Sequence, residues 1–311
     1  MRLPARRAFL RGLLATAGAA ILPRALRAGE PRSITDSRGP RSFATTPQRI
    51  VSLNWALTEQ LIGLEIVPAG VADPEGYAQW VAYPPIPKAT VDVGKRETPN
   101  LERILGLQPD LLLLGGLQGN YADLAETIAP TLHFELFRED HDNATAVRAN
   151  FLDLGALFGR RELAERKLAA MDAELARLKD EIASAFPEGA PKLTVVRFID
   201  DKRVVISGAN GLPEAAMTAL GLETGFPVEP SRWGIAFKPV TALAEIEEGY
   251  VMHMEPFPKG DRLFNTALWQ GMPFVKAGRF RTLPTLWTYG GALSIGRIGG
   301  QIAKSLLSDQ T

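Results

Sequence analysis

Few side chains in this sequence are placed for bond-making chemistry. There are three histidines and no cysteine in 311 residues. His133 and His141 lie among acids, and His253 stands alone. A protein-held metal needs converging ligands at spacings such as HExxH or CxxC. None of the three histidines has such company, and each is expected on the surface or in a loop. Ala292-Leu293-Ser294-Ile295-Gly296 has the outline of a nucleophile elbow with its first glycine lost. That enzyme class places its histidine after the serine, and no histidine follows position 253. The triad cannot be completed in that order. Gly115-Gly116-Leu117-Gln118-Gly119 stands where a dinucleotide phosphate would sit. Its spacing is not GxGxxG, so it reads as a strand-to-helix turn facing a ligand cleft.

Binding chemistry is better represented. Trp80, Trp233, Trp287 and Tyr289 lie in expected loops or at element ends, near Pro or Gly. Core aromatics more often fall inside periodic runs. Loop-borne rings suit a cleft that holds a large ligand by contact area, with few polar anchors. Arg96, in Asp92-Val93-Gly94-Lys95-Arg96-Glu97, is a candidate anchor for an oxygen-rich anionic ligand, because a guanidinium presents a planar fork. Glu59 and Glu214 each stand early in an expected helix. An acid there favours the positive end of its own helix.

The elements that must position these residues follow an α/β order. Residues 29–48 are polar and read as a loose lead-in. Residues 50–53 form a short strand, Thr58-Glu59 starts a helix, and 67–71 is the next strand. Pro84-Pro85-Ile86-Pro87 must be loop, because proline lacks the ladder donor. Asn100 is placed to cap a short helix. Residues 110–114 are an apolar strand of the parallel-sheet kind, and 122–128 the next helix. This is strand–helix–strand–helix order, a small α/β lobe. Val147, Phe151, Leu154 and Phe158 then recur at helical spacing, as do Leu163, Leu168, Met171, Leu175, Leu178 and Ile182 beyond Gly159. That is helix with one break. Strands at 193–198 and 204–206 and a helix at 213–220 restart the α/β pattern. The helices that carry Glu59 and Glu214 look like a weak internal repeat. The expected architecture is two α/β lobes on either side of a long helix. Residues 29–143 are the N-terminal lobe, 144–186 the connecting helical segment and 187–311 the C-terminal lobe.

Arg6-Arg7-Ala8-Phe9-Leu10-Arg11 precedes a mildly apolar run at 12–22, and small residues follow at Ala25 and Ala28. Residues 1–28 therefore read as an export signal of the twin-arginine type, cleaved near Ala28. That segment holds six arginines and no acid, which leaves 29 basic against 35 acidic residues in the rest. An acidic remainder is poorly suited to nucleic acid or an anionic membrane surface. No later apolar run is long enough to span a bilayer.

Several stretches together resemble a known family. They are Asn54-Trp55 with Glu59; Val71-Ala72-Asp73 through Tyr77 and Trp80 to Pro84-Pro85; and Asp92-Val93-Gly94, Arg96 and Pro99-Asn100-Leu101-Glu102. Leu268-Trp269-Gln270, Met272-Pro273-Phe274-Val275, Ala277-Gly278-Arg279-Phe280 and Trp287 with Tyr289-Gly290 complete the set. The chain resembles the periplasmic ferric-hydroxamate siderophore-binding proteins of bacterial iron ABC importers over residues 47–300. The resemblance implies a monomeric periplasmic solute-binding protein of two α/β lobes joined by a single long helix, with the ligand in the cleft between the lobes. It would carry a ferric siderophore to an ABC importer permease, insert in no membrane and catalyse nothing. Iron would be held by the siderophore alone, with no cofactor. By position, Arg96 matches the arginine that meets hydroxamate oxygens. Trp80, Trp233, Trp287 and Tyr289 match cleft aromatics. The family's N-lobe tyrosine falls on Gln118, with Tyr121 three residues on as its alternative. Glu59 and Glu214 match the expectation of one exposed docking acid per lobe. Another large chelate, such as cobalamin or haem, and a secreted α/β enzyme remain as other readings. Haem would call for an axial His or Tyr, here Tyr121 or Tyr289.

Overall fold

The computed structural model describes residues 32–308, so the expected export signal at 1–28 lies outside the described residues. Strands β1 (Arg32–Asp36) and β2 (Gly39–Phe43) pair antiparallel. The lead-in at 29–48 is thus an ordered hairpin over 32–43, which corrects the expectation of a loose segment. Its side chains alternate, and Ile34 and Phe43 turn into the core. Buried Asp36 fixes the hairpin to the sheet edge by accepting from the backbone N of His133 at 2.9 Å.

The N-terminal lobe then runs β3 (Ile50–Ser52), α1 (Trp55–Gly63), β4 (Gly70–Val71), α2 (Pro74–Trp80), β5 (Val91–Asp92), α3 (Leu101–Gly106), β6 (Leu111–Gly115), a 3-10 turn (Gly116–Tyr121), α4 (Ala122–Glu126) and β7 (Thr131–Phe134). Its sheet has the order β5-β4-β3-β6-β7, parallel throughout. Helix α1 starts at Trp55 rather than at Thr58. The side chain of Asn54 accepts from the N atoms of Ala56 and Leu57 at 2.9 and 3.3 Å, and that cap sets the start. Strand β6 is apolar at every side chain because both its faces are covered. Leu111 and Leu113 enter one core, Leu112 and Leu114 the other.

Two helices, α5 (Asn143–Leu157) and α6 (Arg161–Ala185), link the lobes, and the break between them falls where Gly159 adopts φ +67°. The C-terminal lobe runs β8 (Leu193–Phe198), β9 (Arg203–Ser207), α7 (Leu212–Ala219), β10 (Ile235–Pro239), β11 (Tyr250–Met254), three short helices α8 (Gly260–Phe264), α9 (Ala267–Gln270) and α10 (Pro273–Lys276), then β12 (Phe280–Leu283) and α11 (Ala292–Leu307). Its sheet order, β10-β9-β8-β11-β12, follows the same chain sequence as the first. The direction differs, since β9 is antiparallel to both its neighbours. Asp200 closes a tight turn between β8 and β9 by accepting from the N atoms of Lys202 and Arg203, so no crossover helix intervenes. The helices that carry Glu59 and Glu214 therefore follow the first strand of one sheet and the second strand of the other.

One apolar core runs through both lobes. Side chains from β3, β6, β8 and β11 meet α5, α6, α7 and α11 in it. Gly296 and Gly299 allow α11 to lie close on α6: a Cβ on either would come within 2.5 Å of Met171 or Leu175. No described helix is long and apolar enough to cross a membrane.

Glu59 corrects an expectation. It was to be exposed for docking, yet it is only 4% exposed. The first turns of α1 face α11 across the lobe boundary. There Glu59 accepts from Gly291 N at 3.0 Å, from Ser294 Oγ at 2.8 Å and from the Arg297 guanidinium. Burial pushes its carboxyl pKa up, and Arg297, Ser294 and Gly291 oppose that shift. Breaking such a pair leaves an uncompensated group, so Glu59→Ala should cost roughly 3 kcal/mol or more in urea unfolding. Glu59→Gln, whose amide oxygen can still accept from Gly291 and Ser294, should cost less.

The histidines also depart from expectation. His141 lies in a loop, but His133 is in β7 and buried, with Nε2 3.1 Å from Gly115 O. His253 is fully buried in β11, beside the rings of Phe198 and Phe257 at 4.9 and 5.9 Å. Burial, then the charge of Arg197, pulls its pKa down to about 4. The unfolded chain, with a histidine pKa of about 6.5, binds more protons between those values. Stability should therefore fall as pH drops from about 6.5 to about 4, by up to roughly 3 kcal/mol from this residue. Urea midpoints compared between wild type and His253→Leu across that window should show the slope reduced in the variant.

Candidate ligand-binding site

The N-terminal sheet is parallel, so the loops beyond its strands' carboxyl ends gather on one side. Four of the five, all but the loop after β4, supply one wall of a cavity of about 420 Å³ between the lobes. Asn54 and Trp55 follow β3, Arg96 follows β5, Gly116 and Leu117 follow β6, and Leu136 and Phe137 follow β7. The opposite wall comes from Arg232 and Trp233 before β10, from Ile235 and Phe237 within it, and from Trp287 and Tyr289 after β12. Leu117 and Phe237, one from each lobe, are 54% and 68% exposed where they line it. A more open trough of about 730 Å³ shares Trp55, Arg96 and Trp287 and adds Asp73, Trp80, Lys95 and Arg197.

The rings brace one another. Phe137 stacks on Trp233 at 5.5 Å, and Trp233 meets Tyr289 edge-on at 5.4 Å. Tyr289 meets Trp287 at 5.3 Å, and Trp287 meets Trp55 at 5.0 Å. The Trp55 indole donates to Ala72 O at 3.2 Å, which fixes that end of the row. Such edge-on and offset contacts hold large apolar faces in place before any ligand arrives.

Three guanidinium groups face this aromatic wall or its trough. Arg96 lies over the Trp55 ring, with Cζ 3.6 Å from its centroid. Its Nε is buried and has no hydrogen-bond partner. Burial lowers its pKa from the ordinary value, against the pull of Glu97 and Asp73. Arg232 donates from Nε to Phe137 O at 3.1 Å and sits 5.2 Å from the Trp233 ring. Arg197 donates from Nη2 to Leu286 O at 2.5 Å, and burial lowers its pKa as well. No carboxylate lines the 420 Å³ cavity. Aromatic walls with guanidinium groups and no lining carboxylate suit a bulky ligand that presents oxygen atoms. No group of three or more His, Cys, Asp or Glu able to hold a metal occurs among the described residues.

The structure brings Arg96, Trp233, Trp287 and Tyr289 together in the cavity and places Trp80 in the trough. Gln118 and Tyr121 line neither. The 3-10 turn gives its Gly116 and Leu117 to the cavity and folds Gln118 beneath the end of β6. Fully buried, Gln118 accepts from Gly115 N at 3.1 Å and donates to Arg96 O at 3.4 Å. Tyr121 donates from its hydroxyl to Glu97 O at 2.7 Å. Both hold the Arg96–Glu97 backbone instead of facing a ligand. Glu214 stays part-exposed at the start of α7, in a surface groove with Asp142 and Asn210. Burial raises its pKa, and the Asn210 backbone opposes the rise. Ser294 is engaged by Glu59 and by Arg297, which donates to its Oγ at 2.7 Å. Sequence reasoning missed Trp55, Phe137, Arg232 and Arg197 as cleft residues. Their shared signal is a place at or just past the end of a strand, or beside a loop tryptophan.

Comparison with known proteins agrees with this geometry. The family described as periplasmic binding protein matches residues 50–285. The iron(3+)-hydroxamate-binding protein FhuD of Escherichia coli K12 is 32% identical over 253 residues, 81% of this chain and 84% of that protein. The solved structure of the siderophore-binding protein FhuD from Vibrio cholerae, bound to Fe3+-Desferal, is 36% identical with a TM-score of 0.82. That match covers 84% of this chain and 98% of the other. The catecholate-siderophore-binding protein VctP of Vibrio cholerae, 18% identical with a TM-score of 0.68, shares the fold. The resemblance read from the sequence is borne out on both counts, and the chain belongs to the periplasmic binding protein family.

Proposed function

We propose that this protein captures a ferric siderophore of the hydroxamate type in the cleft and hands it to the permease of an ABC importer. The observation that carries this reading is the partnerless buried Nε of Arg96 over Trp55, in an aromatic cavity that no carboxylate lines. An iron chelate with oxygen atoms around its metal centre and hydrocarbon arms matches that wall. The similarity to two FhuD proteins supports it. Iron is the cargo, coordinated by the siderophore, and no cofactor is involved. The family consists of substrate-binding proteins, and no catalytic role is assigned to this chain. Of the two tyrosines that haem could use, the Tyr121 hydroxyl is engaged by Glu97 O and Tyr289 is packed edge-on against Trp233 and Trp287, and the similarity to the FhuD proteins favours the siderophore over haem.

The finer parts of the reading follow from the sequence. The twin-arginine motif at Arg6-Arg7 directs export to the periplasm, where the protein acts as a monomer. Lobe boundaries at 143 and 187 leave α5 and α6 as the connector. Glu214 is the docking acid that remains after Glu59 is found buried.

Tryptophan fluorescence tests the ligand directly, since Trp55, Trp80, Trp233 and Trp287 line the cleft. Ferric trihydroxamates should quench at micromolar concentration or below. Free Fe³⁺, haem and cobalamin should quench weakly, and tight binding of bare iron would overturn the reading. Arg96→Ala removes a charge-assisted hydrogen bond of roughly 1.5–3 kcal/mol, a loss of about ten- to a hundred-fold in affinity. Arg96→Lys should recover only part, because it lacks the planar fork. Unchanged affinity in Arg96→Ala would remove the anchor assignment.

A further inference from the structure

Three loops meet where the lobes touch beside the cavity. They are the exit from β7 at 135–142, the turn after β9 at 208–211, and the segment before β10 at 231–234. Asn143, the first residue of α5, is fully buried at their junction. Its Oδ1 accepts from Arg138 N at 2.9 Å. Its Nδ2 donates to Asn210 O and to Arg232 O, each at 2.9 Å. Its backbone N donates to Asn210 Oδ1 at 2.8 Å. Asn210 reaches back, donating from Nδ2 to Arg138 O at 2.7 Å and to Ser231 O at 3.3 Å.

The types suit the task. An amide carries two donors and an acceptor on one rigid plane, enough to tie three backbone segments without burying charge. Asn210 lies at φ +70°, a left-handed conformation that asparagine tolerates better than most residues. The loops cannot drift closer. Gly234, at φ +61°, lies so near Gly211 that a Cβ would stand 2.1 Å from the Gly211 N.

These bonds end on the backbone that carries the cavity wall. Arg232 O accepts from Asn143, and Arg232 Nε in turn grips Phe137 O. Phe137 and Trp233 stack face to face across the boundary. We propose that Asn143 and Asn210 are positioning residues, a polar clasp that holds Phe137, Arg232 and Trp233 in register and so sets the affinity of the cavity. Neither lines the cavity itself. A wall ordered in advance spares the ligand the cost of ordering it. The proposal rests on the reading of this cavity as the chelate site.

Asn210→Gly is the first test, because glycine keeps the left-handed backbone and deletes only the amide. The variant should fold. Its affinity for the iron(III) complex of desferrioxamine should fall about five- to twenty-fold, through faster dissociation in stopped-flow quenching. The same substitution in a Trp233→Ala background should cost less affinity than in wild type, since one of the three side chains that the clasp positions is gone. A general loosening of the fold would weaken binding equally in both backgrounds. Equal losses, or wild-type affinity in Asn210→Gly, overturn the clasp. Asn143→Asp removes the donors to Asn210 O and Arg232 O and should act in the same direction. If wild type ignores the iron complex but responds to cobalamin or haem, the ligand reading fails instead. The same cycle run with that chelate then decides the clasp.

Discussion

A carboxylate held between two lobes is the constraint on which much else depends. Glu59 enters from α1 and is met by Gly291, Ser294 and Arg297 of the C-terminal helix and its approach. The contact is close enough to fix the local sequence. A Cβ at Gly290 would stand 2.4 Å from Glu59 Oε2 and 2.1 Å from Ser294 Oγ. Tyr289 and Trp287 immediately precede this point, so the segment that bears the far aromatic wall is pinned at its root. The same brace keeps α11 against α1 while its glycines press it onto α6. A charge buried there is costly unless its partners stay in place, which links the lobes' relative position to the cavity's shape.

The cleft itself resolves a conflict between apolar walls and cationic anchors. Guanidinium groups can be set against rings because they are weakly hydrated and planar. Arg96 over Trp55 and Arg232 beside Trp233 both use this property. Arg232 spends a donor on Phe137 O, whereas Arg96 keeps its buried Nε unmatched. An unmatched buried donor is unfavourable in the empty protein and becomes favourable when a ligand oxygen reaches it. Gln118 and Tyr121, behind the loop, hold the backbone that presents this donor.

The two lobes show how a shared strand order tolerates different local chemistry. The first sheet is parallel throughout and presents strand-end loops to the cleft. In the second, the β8–β9 hairpin reverses one strand, and the edge strand β10 and the segment before it supply Arg232, Trp233, Ile235 and Phe237. The cavity is therefore built from strand ends on one side and partly from a sheet edge on the other.

The sequence by itself determined the element types where periodicity was long. Val147 to Leu157 and Leu168 to Ile182 became α5 and α6, with the break at Gly159. It also determined a parallel-sheet strand at 110–114, seen as β6 at Leu111–Gly115, and a set of tryptophans and an arginine standing outside periodic runs, most of which converge on the cleft. It misplaced the hairpin at 32–43, whose five-residue strands alternate too briefly to stand out, and the start of α1, which a single asparagine cap decided. Only the tertiary structure settled which polar groups are buried and what each one meets. Glu59 looked like a surface acid because its partners lie more than 230 residues away. Gln118 was matched by position to the family's cleft tyrosine, but the 3-10 turn at 116–121 folds it inward. His253 gave no sign of burial, since a lone polar residue in a short strand can face either way. Local pattern encodes local conformation, whereas burial and pairing are properties of segments brought together from across the chain.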